Sequence, residues 1–140
     1  MIKTFRGLLA DGGQDKIKLE TVRGKVGYRI VKFEIIPQNI GTADIENLVL
    51  VWRKEQATIP TSINFTNSDL LASGFYGTNT QGTDQNYAII FDNEIFNQDV
   101  FITNYDHSSG PACNYYLELE VLTLSDDEAQ AAILQSSRSG

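Results

Sequence analysis

His107 and Cys113 are the only histidine and the only cysteine in the chain, and both fall in one stretch marked by Gly, Ser and Pro. This scarcity argues against a His/Cys metal centre, a cysteine nucleophile paired with histidine and a third orienting group, and a disulfide framework. Asp106-His107-Ser108 has the residue types of an acyl-transfer triad. That chemistry requires the base to touch the nucleophile while a buried carboxylate holds its other nitrogen. Successive side chains diverge, so a solvated loop histidine is expected instead. Asp11-Gly12-Gly13-Gln14-Asp15 offers oxygen ligands on a tight turn, but it lacks the full ligand series of a calcium loop and reads as a plain turn. Asp126, Asp127 and Glu128 suit a helix N-terminus, where the dipole alone favours negative charge. Cys113 reads as a small core residue at the start of the last strand. No catalytic residue, metal ligand or cofactor is expected.

The remaining chemistry is aromatic. Ring faces stack on the apolar faces of sugars, so Tyr28, Trp52, Phe75, Tyr76, Tyr87, Tyr105, Tyr115 and Tyr116 are the raw material of a glycan-binding surface. Most fall in segments of strand character, where aromatics ordinarily fill a core or form cross-strand pairs. Phe75, Tyr76 and Tyr105 fall in or beside expected loops and are the better interface candidates.

The elements that position these residues show the two-residue period of half-buried strands. Residues 2–9 form an opening strand, followed by the turn signal Asp11-Gly12-Gly13. Residues 16–22 alternate Ile17, Leu19 and Thr21 with charged neighbours, and Arg23-Gly24-Lys25 ends them. In residues 27–36, Val31, Phe33 and Ile35 share one face and Lys32 and Glu34 the other. Tyr28 and Ile30 keep the opposite phase, which predicts a β-bulge or a strand passing between two faces. Residues 48–52 are apolar on both sides and read as a central strand, one face of it available to a neighbouring subunit. Residues 68–74 read as a short helical turn capped by Ser68 and ending at Gly74, and residues 76–85 as an exposed loop. Strands are expected over 87–91 and 99–104, with a turn at Asp92-Asn93. The cleanest alternation lies in 115–121, with Tyr115, Leu117, Leu119 and Val121 inward and Tyr116, Glu118 and Glu120 outward. Ser125-Asp126-Asp127-Glu128 has the form of a capping box opening a helix over 126–135, before a frayed tail at 136–140.

Roughly eight strands without a strand–helix rhythm argue for a mainly β fold, an antiparallel β-sandwich or jelly-roll-like domain with a short C-terminal helix. At 140 residues the chain supports one core, so a single domain over 1–135 is expected. Hydrophobic residues at 41% and charged residues at 21% lie in the globular range. A net charge of −7 without a basic run gives no footprint for a phosphate backbone, so nucleic acid is not an expected partner. Neither is a membrane: the start of the chain lacks the apolar core and cleavage site of a signal peptide, and no apolar run is long enough to span a bilayer. A single cysteine fits synthesis in a reducing cytoplasm.

Segment order carries a resemblance. The opening Met1-Ile2-Lys3-Thr4-Phe5-Arg6-Gly7-Leu8-Leu9-Ala10-Asp11-Gly12-Gly13-Gln14-Asp15-Lys16-Ile17, then Gly24-Lys25-Val26-Gly27-Tyr28-Arg29-Ile30 and Lys32-Phe33, resembles small proteins encoded by marine tailed bacteriophages. Ile89-Ile90-Phe91-Asp92-Asn93-Glu94-Ile95-Phe96-Asn97-Gln98-Asp99 and Asn114-Tyr115-Tyr116-Leu117-Glu118-Leu119-Glu120 extend it over nearly the whole chain except residues 56–85. The resemblance implies a virion component without a catalytic motif, in first place a capsid decoration or cement protein that binds the major capsid protein and stabilises the head. It would be made in the host bacterial cytoplasm and sit on the capsid exterior, where an acidic surface does not face packed DNA. The rivals are a tail, neck or fibre-associated β module and a glycan-binding module for host attachment. On this reading Ile2, Phe5 and Leu8 mark a strand able to pair with a partner's sheet edge. Trp52 marks a subunit contact of a homo-oligomer, and Phe75, Tyr76 and Tyr105 mark a contact surface for a partner or glycan.

Overall fold

The computed structural model describes residues 1–19, 25–39, 45–78, 84–91, 94–107 and 110–123. They contain the strands β1 (Ile2–Leu9), β2 (Gln14–Ile17), β3 (Val26–Pro37), β4 (Glu46–Trp52), β5 (Leu70–Thr78), β6 (Asp84–Ile90), β7 (Val100–Asp106) and β8 (Cys113–Thr123). All ladders are antiparallel, forming a three-stranded sheet of order β1-β8-β3 and a five-stranded sheet of order β2-β7-β4-β5-β6. The two sheets face each other across one apolar core, a sandwich-like arrangement.

Alternation decides which residues meet there. β8 turns Cys113, Tyr115, Leu117 and Leu119 inward, as the sequence predicts, against Val49 and Val51 of β4 and Val100 and Ile102 of β7. Phe33 and Ile35 of β3 lie over Gly74 of β5. A Cβ there would stand 3.0 Å from the Phe33 ring and 3.2 Å from Ile35, so the missing side chain lets the sheets approach. The chain first changes sheet at the Asp11-Gly12 turn, where Gly12 takes a left-handed φ of 77°. The Gly12 amide donates to the Asn104 carbonyl at 2.8 Å and the Asn104 amide to the Gly13 carbonyl at 3.1 Å, which clips the turn onto β7.

The phase switch in β3 is a bulge, with the register against β8 shifting between Ile30 and Lys32. Val31 is the extra residue and is 38% exposed, whereas Tyr28, Ile30, Phe33 and Ile35 all point inward. Val31 therefore does not share the face of Phe33 and Ile35 that the alternation assigned to it. The expected helical turn at 68–74 is also corrected, since Leu70 begins β5 and pairs with Trp52. Leu71 and Ala72 are buried in the core between the sheets and Leu70 in a second cluster on the opposite face, and that long-range burial outweighs local helix preference. The side chain of Asn67, rather than of Ser68, accepts the Asp69 amide just before the strand. β5 then runs through Thr78 and β6 starts at Asp84, so residues 76–78 and 84–85 of the loop expected at 76–85 are strand, and 79–83 lie outside the described residues. β2 ends at Ile17, earlier than expected, though Leu19 stays buried with its amide on Asp99 Oδ1 at 2.8 Å.

Strand β4 is covered on both faces, as its composition suggests, but by its own chain. Leu48, Leu50, Trp52 and Leu70 form a second cluster with Phe91 and Phe101. Residues 53–69 join β4 to β5 beside this face; the Arg53 amide bonds the Asp69 carbonyl at 2.7 Å and Phe65 packs edge-on against Phe91. The breaker at Arg23-Gly24, the turn at Asp92-Asn93, the helix over 126–135 and the tail at 136–140 lie outside the described residues.

Candidate functional site

Strand register builds a row of large side chains across the outer face of the five-stranded sheet. Tyr87 is opposite Phe75, Phe75 opposite Leu48, and Leu48 opposite Tyr105. The Phe75 ring lies over Gly77, where an added Cβ would meet it at 2.8 Å. Leu48 floors a groove of about 440 Å³ walled by Phe75 and Tyr105, with Glu46, His107, Thr61, Ser62 and Ile63 around it. The Tyr105 hydroxyl is 3.4 Å from His107 Nδ1. Tyr87, opposite Phe75, is 59% exposed; Ile63 at the groove and Ile89, two residues along β6, are exposed too. Such a surface offers ring faces, aliphatic groups and a few hydroxyls. It is equipped to bind, and the polar groups at its rim fix orientation.

Asp106, Asp11 and Asp15 are engaged away from the groove. Asp106 turns into the interior, opposite to His107, and its Oδ1 accepts the Glu46 amide at 3.4 Å. Strand alternation thus separates the two described members of the Asp106-His107-Ser108 motif; Ser108 lies outside the described residues. Asp11 Oδ1 accepts the Asp106 amide at 2.8 Å, while Asp15 Oδ2 accepts the Tyr115 hydroxyl at 2.9 Å. The turn's two carboxylates therefore serve different partners rather than one ion. Among the described residues, no three His, Cys, Asp or Glu side chains converge as a metal site.

Cys113 is fully buried and unpaired with another sulfur. Burial, and then the nearby Asp106 charge, push its thiol up to about 12, which keeps it protonated and unreactive. Burial and the hydrogen bond to Asp15 likewise raise Tyr115. The hydrogen bond from Tyr116 to Glu118, 2.6 Å long, raises Tyr116 on the surface.

A second candidate region lies on the three-stranded sheet. β1 pairs with β8 and has no second strand neighbour among the described residues. The Met1 carbonyl accepts the Val121 amide at 2.9 Å, and this fixes which main-chain groups face β8. In an antiparallel ladder the direction alternates. Lys3, Phe5, Gly7 and Leu9 therefore turn their amides and carbonyls to β8, and Ile2, Thr4, Arg6 and Leu8 turn theirs to the open edge. The same four residues project their side chains from the sheet's outer face, where Ile2 is 49% and Leu8 47% exposed.

Of the residues singled out from sequence, Phe75 and Tyr105 meet in the groove, and Ile2 and Leu8 share the outer face of β1. Phe5 is half-buried and packs inward against the core. Tyr76 faces inward from β5 and packs on the core cluster, because it alternates with Phe75 in a strand rather than sitting in a loop. Trp52 is 3% exposed and donates its indole N–H to Thr103 Oγ1 at 3.0 Å, so it offers no surface for a subunit contact. Ile63, Phe65 and His107 are not among the expected contact residues, and Tyr87 is there only as one of the eight aromatics that could line a glycan-binding surface. Tyr87 and Ile89 alternate with Ala88 and Ile90, a pattern apolar on both faces that conceals which one is open. Compared with protein-family models, with curated proteins and with solved structures, the chain matches none of them.

Proposed function

We propose that the chain is a non-enzymatic structural protein of a virion, a capsid decoration or cement protein that binds the major capsid protein on the outside of the head. The observation that carries this reading is the apolar row Tyr87, Phe75, Leu48 and Tyr105, with exposed Ile63 at the groove and exposed Ile89 two residues along β6 from Tyr87. Grouped apolar side chains on one rigid face are the mark of a protein contact. Aromatic rings held on strands lose little further freedom on binding. The resemblance to tailed-phage proteins supplies the particle, and the net charge of −7 favours the outer side of a DNA-filled shell.

The fold reading that goes with this is a jelly roll. Its support is a set of nested pairs, β1 with β8, β2 with β7 and β4 with β5, which arise when one long antiparallel ribbon folds over on itself. The remaining nested pair is β3 with β6. It touches through the Asn86 side chain, which donates to the Ile35 carbonyl at 3.4 Å, while the main chain of β6 pairs with β5.

Rebinding to shells that lack the domain tests the face. Phe75→Ser combined with Tyr105→Ser is expected to weaken binding at least tenfold, about 1.4 kcal/mol, while circular dichroism shows the fold retained. Unchanged affinity would remove this face from the contact.

The groove favours one second reading. Two rings set among Glu46, His107, Thr61 and Ser62 combine stacking faces with hydrogen-bonding groups, as a saccharide site requires. Saccharide binding that is lost in Tyr105→Ala, with shell binding retained, would favour host attachment over cementing.

A further inference from the structure

We propose that β1 is a self-complementary edge through which two copies of this chain pair, joining their three-stranded sheets into one continuous sheet of order β3-β8-β1-β1-β8-β3. The inference goes beyond the shell-binding reading and stands without it, because it uses a different sheet and a different class of contact.

The geometry rests on the direction of the main chain. Ile2, Thr4, Arg6 and Leu8 present their amides and carbonyls to the open edge, as the Met1–Val121 hydrogen bond dictates. A two-fold axis across this edge makes an antiparallel ladder, in which a residue and its partner have numbers of constant sum. The register that engages the whole strand places Ile2 opposite Leu8 of the second copy and Thr4 opposite Arg6 of the second copy. Both pairs join residues whose polar groups face the edge, so every open amide and carbonyl of the four residues finds a partner. A shift by one residue would set edge-facing groups against groups already bonded to β8.

The side chains agree with this register. On the outer face, exposed Ile2 packs against exposed Leu8 of the other copy, twice by symmetry. Leu8 is next to Asn114, and Asn114 to Ile36, which is 58% exposed, so Ile2 of the second copy joins Leu8 at the end of a row that Asn114 separates from Ile36. Arg6 lies opposite Thr4 of the second copy, and Thr4 neighbours Glu118, which draws the guanidinium across the junction. The two Arg6 side chains fall on the diagonal rather than directly opposite. On the inner face Lys3 meets Gly7, and Phe5 meets its own copy on the axis. Like charges are nowhere set face to face in this register.

Light scattering with size-exclusion chromatography, combined with amide hydrogen exchange, tests the pairing on the full chain. Wild type is expected to shift from monomer to twice the mass as concentration rises. The amides of Ile2, Thr4, Arg6 and Leu8 should become protected over the same range. Thr4→Pro removes an edge-facing N–H and no bond to β8, a position that edge strands tolerate. It should leave thermal unfolding nearly unchanged in dilute solution and abolish the dimer. Should Thr4→Pro misfold, Ile2→Lys with Leu8→Lys changes only exposed side chains and sets like charges opposite one another, and it should raise the dissociation constant at least tenfold. A chain that stays monomeric, or a dimer that survives both variants with the four amides unprotected, would overturn the proposal.

Discussion

Cys113 shows how much of this molecule's chemistry is decided by where a side chain is put. The sequence placed it as a small core residue at the head of the last strand, and it lies at 0% exposure. Its thiol ordinarily titrates near 9 and here is raised to about 12 by burial and by Asp106. Between these values the unfolded chain has lost the proton and the folded chain retains it. Stability is therefore fully present below pH 9 and falls as pH rises. Urea unfolding across that range should show the decline, and Cys113→Ala should remove its onset between pH 9 and 10, leaving the part above pH 10 to which the raised Tyr115 and Tyr116 contribute. A thiol reagent should label native protein at the unfolding rate only. Arg53, by contrast, gave no sequence signal of being buried. Its side chain is 1% exposed and donates to Glu94 Oε2 at 3.1 Å, a pairing 41 residues apart that no local pattern announces. Glu94→Ala leaves that guanidinium without its carboxylate and should cost about 2 kcal/mol, read as a lowered thermal midpoint. Replacing both residues, with Arg53→Met and Glu94→Gln, should recover part of the loss.

Strands were legible where one face is wet. β1 and β8 alternate cleanly because their outer side chains meet water, and the phase switch in β3 announced its bulge. β5 was not legible, since Leu70-Leu71-Ala72 is buried on both faces and carries no period to separate strand from helix. Pairing with β4 makes the choice, through contacts that no local pattern records. The site depends on the same choice: a turn at 68–74 would put Tyr76 in a loop, whereas the strand turns Tyr76 inward and gives Phe75 its neighbours Leu48 and Tyr87. Close approach between elements was equally invisible. Gly7 reads as an ordinary small residue, yet a Cβ there would stand 2.7 Å from the Tyr115 hydroxyl, which reaches past it to Asp15. Gly7→Ala should displace that ring, break the hydrogen bond and cost about 2 kcal/mol, with Tyr115→Phe costing less because the ring stays in place. Denaturant midpoints of the two variants measure the difference.

At the scale of the whole molecule, two sheets present two kinds of surface. The five-stranded sheet exposes an aromatic row around a groove, and the three-stranded sheet ends in a strand that has one strand neighbour among the described residues. On the proposed reading, a particle surface would offer both a neighbour below and copies alongside, with the face set to the shell and the edge to a second copy. The mainly β class was readable from spacing alone. The groove was not, because Phe75, Tyr105 and Leu48 come from three strands whose neighbourhood depends on strand order. The most direct measurement is cryo-electron microscopy of purified particles, with the domain fitted to the density and its copies counted. Copies repeating over the head, with Phe75, Tyr87 and Tyr105 turned toward the major capsid protein, are the predicted result. Density restricted to the tail, neck or fibres, or an aromatic face turned to solvent, would contradict it.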